Sequence, residues 1–164
     1  MTGATRILLP GPAHTRRHAA AFARALRRLP KDAHLVIALE GELGTGKTSW
    51  VRALLRSLGW SGPVRSPTYT LVEPYELDGR RFLHMDLYRL ADPGELEYLG
   101  IRDQDAPGTV WLVEWPERAR GELPRPDLSL TFRHRDSGRE LTLETASPLG
   151  SRLKARMQGD PECD

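Results

Sequence analysis

The eight residues Gly41-Glu42-Leu43-Gly44-Thr45-Gly46-Lys47-Thr48 limit what this chain can fold into more than any other stretch, because they match G-x-x-x-x-G-K-[ST]. Their setting is the one such a loop needs. The apolar run Leu35-Val36-Ile37-Ala38-Leu39 reads as a buried parallel strand before the loop. Trp50, Val51, Leu54, Leu55 and Leu58 repeat at helical spacing after it, and Gly59 follows as a C-cap. The three glycines let the loop wrap closely with its amides pointing inward, and the helix adds its positive end. Lys47 is then placed to reach the β and γ phosphates of a nucleotide, and Thr48 to put a hydroxyl on Mg²⁺. A turn that merely joined strand to helix would not require a lysine and a hydroxyl directly after its last glycine.

The remaining elements fit an α/β fold, a three-layer P-loop sandwich with a mainly parallel sheet and antiparallel hairpin additions. Ala19, Phe22, Ala23, Leu26 and Leu29 predict an amphipathic helix over Ala13 to Leu29, stopped by Pro30. Asp78-Gly79 predicts a hairpin between a strand ending at Leu77 and one over Phe82 to Tyr88. Asp92-Pro93-Gly94-Glu95 carries a capping box and predicts a short helix to Leu99. Thr109 to Trp115 reads as another strand, and Leu128 to Arg133 and Glu140 to Glu144 as a second hairpin. One domain over residues 1–150 is expected, followed by a polar tail over 151–164, the stretch after Pro148 ending in fraying helix or disorder.

Composition excludes several classes. With 24 Lys and Arg against 22 Asp and Glu, the charge offers no general argument for nucleic-acid binding. The run Leu35 to Leu39 is far shorter than the roughly 20 residues a membrane span needs, and Met1 to Pro12 does not read as an export signal. The expected compartment is the cytoplasm. Cys163, the single cysteine, rules out an internal disulfide and reads as part of the tail.

Acidic help for a phosphate-bound metal is available from Asp86, in His84-Met85-Asp86-Leu87-Tyr88-Arg89, and from Glu114, in Leu112-Val113-Glu114-Trp115. Both end apolar segments, where a carboxylate can serve the metal or orient an attacking water. Ser66-Pro67-Thr68-Tyr69-Thr70 has the hydroxyls and the stiffness of a switch segment that senses a γ-phosphate. His84 reads as a hydrogen-bonded structural residue ahead of a base, and Trp115 as core packing ahead of a wall of the site. Without an N-K-x-D or T-K-x-D motif, adenine is the expected base.

Taken in order, the P-loop, S-P-T-Y-T-L-V, H-M-D-L-Y-R-L and V-E-W-P-E resemble the TsaE family, formerly YjeE, over Leu35 to about Glu117. That resemblance implies a cytoplasmic ATPase that binds ATP or ADP with Mg²⁺ and works beside TsaB and TsaD in making threonylcarbamoyladenosine in tRNA. It implies that tRNA is met indirectly through that complex, with no membrane involved. By position, Gly44, Thr45, Gly46, Lys47, Thr48 and Ser49 would bind phosphates, and Thr48 and Glu114 would hold Mg²⁺. Lys47 and Asp86 would be catalytic, and Thr15 would approach the adenine. Two other readings compete: a P-loop kinase acting on a small metabolite, and a nucleotide-switched binding module.

Overall fold

The run after residue 34 forms a strand buried along almost its whole length, as its lack of polar alternation predicts. In the computed structural model, which describes residues 3–160, it becomes β2 (Leu35–Glu40) near the centre of a mixed sheet. The other strands are β1 (Thr5–Leu9), β3 (Val72–Leu77), β4 (Arg80–Asp86), β5 (Val110–Glu114), β6 (Leu128–Arg135) and β7 (Gly138–Thr145). Among the described residues they lie in the order β1-β7-β6-β2-β5-β4-β3. β6, β2, β5 and β4 run parallel, while β3, β7 and β1 pair antiparallel at the two edges.

Helices α1 (Pro12–Arg27), α2 (Lys47–Ser57) and α4 (Pro148–Gln158) cover one face of the sheet, and their apolar sides close over Phe22, Leu26, Trp50, Leu54 and Leu153. The opposite face is covered by the 3₁₀ segment Pro93–Leu99, the short α3 (Ile101–Gln104) and the turn Pro116–Ala119, packed on Leu83, Met85 and Val113. The chain is therefore an α/β sandwich of the P-loop NTPase type. The capping box forms as expected, with Gly94 N donating to Asp92 Oδ1 at 2.7 Å and Asp92 N to Glu95 Oε1 at 3.0 Å.

Two elements differ from the sequence expectation. Residues 5–9 form β1, which Pro10 cuts short before its apolar alternation becomes readable; it pairs with β7 from Thr5↔Leu143 to Leu9↔Arg139. Residues 148–158 form α4, the helical one of the two alternatives expected after Pro148, but anchored rather than fraying. The Ser147 hydroxyl caps it by accepting from Gly150 N at 3.0 Å, Leu153 and Met157 are buried, and Asp160 pairs with Arg24 of α1 at 2.6 Å. Few apolar side chains hold that face, Leu153 and Met157 with Leu149 packed beside them, so the polar composition masked it. Cys163 lies outside the described residues.

His18 links the α1 and α2 packing to pH. Its Nδ1 accepts from the buried Trp50 Nε1 at 3.0 Å, and burial lowers its pKa from 6.5 to about 4. An unfolded chain thus takes up this proton more readily than the folded one. The stabilisation is complete above pH 6.5 and is lost as pH falls toward 4, a difference on the order of 3 kcal/mol. Urea unfolding followed at several pH values across that window should show the loss. His18→Asn, which keeps an acceptor for Trp50 but cannot titrate, should flatten the slope, and an unchanged slope would exclude His18 as its source.

Candidate functional site

Backbone geometry builds the loop first. Gly41 sits at φ 137°, and a Cβ there would collide with the Phe132 carbonyl, so only glycine lets the loop cross β6 this closely. Gly46, at φ 104°, then turns the chain into α2. The Thr45 hydroxyl donates to Glu42 O at 2.7 Å and pins the turn.

Lys47 begins α2 and is buried, only 5% exposed. Its Nζ donates to the Gly41 and Glu42 carbonyls, the latter at 2.8 Å, and lies 4.4 Å from the centroid of the Trp115 ring. Burial pushes the ammonium pKa down, opposed by the charges of Glu114, Asp86 and Glu117.

The parallel register of β4 and β5 sets Asp86 directly beside Glu114. Both stand at carboxyl ends of strands, on the sheet face that α2 covers. The Thr48 hydroxyl faces both Glu114 oxygens, at 2.8 and 3.0 Å, and His84 Nε2 stands 2.6 Å from Oε2. Asp86 Oδ1 accepts from Tyr88 N at 3.1 Å. Burial raises the Asp86 pKa and Glu114 adds to the rise, while the Tyr88 bond, His84 and Lys47 oppose it.

Two non-glycine residues flank these strand ends in the left-handed region, Leu71 at φ 64° and Trp115 at φ 58°. Leu71 O accepts from Asp86 N, and Trp115 N donates to Leu39 O, which ties the segment after Thr70 and the end of β5 to the strands.

Two cavities meet at the loop. One, of about 420 Å³, is lined by Gly44 to Ser49, Asp86, Glu114 and Trp115, together with Ser66 and Thr68. The other, of about 490 Å³, lies between the start of α1 and the outer face of α2 and is lined by Thr15, Arg52 and Phe132 among others. Thr45, Gly46, Ser49 and Arg139 line both. The structure thus brings Lys47, Thr48, Asp86 and Glu114 together and sets Thr15 across the loop from them.

Arg139 is the residue that the sequence did not point to, and His84 is hydrogen-bonded as expected, with Glu114 as its partner. From β7, Arg139 Nε donates to Thr45 O at 3.0 Å and Nη2 to Gly44 O at 3.1 Å, clamping the loop from a strand 94 positions away. No local motif marks it. His84 had a signal, its place two residues before Asp86, but a lone histidine in a strand points first to structure.

Comparison with known proteins agrees with this architecture. Residues 10–141 match the family described as "Threonylcarbamoyl adenosine biosynthesis protein TsaE". The chain is 42% identical over 132 residues to the tRNA threonylcarbamoyladenosine biosynthesis protein TsaE of Haemophilus influenzae, covering 80% of this chain and 84% of that one. It is 36% identical over 108 residues to the Bacillus subtilis protein of the same name, covering 65% and 67%. The crystal structure of Bacillus subtilis YdiB superposes with a TM-score of 0.74 at 26% identity over 96% of both chains. Among the described residues, no helix is long and apolar enough to cross a membrane.

Proposed function

Because this chain belongs to the TsaE family and so takes part in threonylcarbamoyladenosine biosynthesis in tRNA, we propose that it hydrolyses ATP with Mg²⁺ as an accessory subunit of a TsaB–TsaD assembly. The observation that carries the chemistry is the bond from Thr48 to Glu114 inside a P-loop, with Asp86 alongside. A hydroxyl and a carboxylate are the hard oxygen donors Mg²⁺ prefers, and a glycine-lined loop at a helix start suits phosphates. Thr48 and Glu114 would hold the ion, which would neutralise charge on the β and γ phosphates.

The protein groups divide the remaining work. Lys47 exchanges its loop carbonyls for phosphate oxygens and stabilises the negative charge that develops there. Backbone amides of Gly44 to Ser49 hold the β-phosphate, and the adjoining cavity with Thr15 takes the adenosine end. Arg139 keeps the loop in shape between the two. Asp86 orients a water and accepts its proton as the water oxygen bonds to the γ-phosphorus. The bond to the β–γ bridging oxygen breaks, and ADP leaves with that electron pair. This reading sets the activity in the cytoplasm, with tRNA met through the partners.

Steady-state phosphate release tests it, with TsaB and TsaD titrated in and tRNA present or absent. We expect slow release by the isolated chain and saturable acceleration by the partners, below the 10³- to 10⁵-fold roughly associated with a supplied arginine. Asp86→Asn should lower turnover by about 10² or more while changing ADP affinity only a few-fold. Indifference to the partners, together with recovery of a phosphorylated metabolite, would favour a kinase.

A further inference from the structure

His84 occupies the middle of β4, between Phe82 and Asp86 on the same face, where an apolar side chain would pack at no electrostatic cost. It is 0% exposed. Its Nε2 lies 2.6 Å from Glu114 Oε2, and its Nδ1 is buried with no hydrogen-bond partner among the described residues. A carboxylate accepts, so Nε2 carries the donated hydrogen, and Nδ1 is left buried without a partner. The ring's one side-chain hydrogen bond is therefore made at the expense of its other nitrogen, which a purely packing role would not require.

The Glu114 side of this contact supplies the reason. That carboxylate is 2% exposed, and its hydrogen-bond donors are the Thr48 hydroxyl and His84. Thr48 faces both oxygens at nearly equal distances, so it does little to select one carboxylate rotation. His84 approaches Oε2 alone and leaves Oε1 to the Thr48 hydroxyl at 2.8 Å. We propose that His84 is a positioning residue that locks Glu114 in the rotation needed to hold a divalent cation beside Thr48. The inference rests on the nucleotide-site reading above and adds to it a residue that acts only through Glu114.

Calorimetric titration of the full chain with ADP, in EDTA and across a range of MgCl₂, tests the idea. His84→Leu should raise the Mg²⁺ concentration that half-saturates the metal-dependent gain in ADP affinity by about 10- to 100-fold. Affinity in EDTA should stay within about 2-fold. His84→Gln, whose amide nitrogen can reach the same oxygen, should recover most of the loss, as a general packing defect would not allow. Equal losses with and without Mg²⁺, no loss at all, or a glutamine variant as impaired as the leucine variant would overturn the proposal. A parent protein whose ADP binding ignores Mg²⁺ would instead take down the site reading and this inference with it. If His84→Leu does not fold, the ring ¹⁵N signals of the parent decide. Adding Mg²⁺ to the ADP complex should shift the His84 Nε2 resonance, and an unmoved signal would count against the proposal.

Discussion

Lys47→Ala is expected to lower ATP hydrolysis by at least about 10²-fold while leaving a folded protein, since its ammonium is a positive charge held against the loop carbonyls at the start of α2. Its burial makes the stability outcome a balance. Truncation removes donors from the Gly41 and Glu42 carbonyls and a cation from the Trp115 ring. It also removes a charge whose desolvation already lowers the lysine pKa. The two effects oppose one another, so the unfolding free energy should move by no more than about 2 kcal/mol in either direction. Phosphate release and near-ultraviolet circular dichroism check both halves. Hydrolysis at the parent rate by a natively folded variant would remove Lys47 from the chemistry.

The largest stability loss is expected from Arg80, far from the loop. Its guanidinium is buried just after the Asp78-Gly79 turn. Nη2 donates to the Leu26, Leu29 and Pro30 carbonyls at 3.3, 2.9 and 2.9 Å, and Nη1 to Lys31 and Ala33 at 3.4 and 3.3 Å. One side chain thereby closes the carboxyl end of α1 and the connection to β2, where a helix runs short of donors for its last carbonyls. Burial lowers the Arg80 pKa, and Asp78 and Asp32 counter it. Arg80→Met takes the donor from the buried Leu29 carbonyl and weakens four others, of which Leu26 and Pro30 keep backbone N–H partners, and should cost about 3 kcal/mol, read as a lower urea midpoint at unchanged slope. Arg80→Lys should regain less than half, because one ammonium cannot span the same carbonyls. A methionine variant with the parent midpoint would show that water replaces the guanidinium without loss.

Neither the depth of Lys47 nor the role of Arg80 could be read along the chain. Both are set by what packs over them: the turn after β5 brings Trp115 to the lysine, and the β3–β4 hairpin lands on the end of α1. The same holds for α4, whose polar composition conceals a face that becomes apolar only where Leu153 and Met157 meet α1.

What the sequence determined by itself was local. A strand, a glycine loop and a helix start lie within about 20 residues, and the conformations they need are properties of those residues: glycine at positive φ, apolar runs, a lysine and hydroxyl at the helix start. Asp86 and Glu114 were legible for the same reason, as charges that end apolar strands. Tertiary structure alone decided which groups meet. The parallel register aligns Asp86 with Glu114, the shared face turns His84 toward Glu114 Oε2, and β7 carries Arg139 onto the loop. Such contacts join positions 28 to 95 residues apart, and a one-residue slip of a strand would send each side chain to the opposite face, so only the packed sheet fixes them.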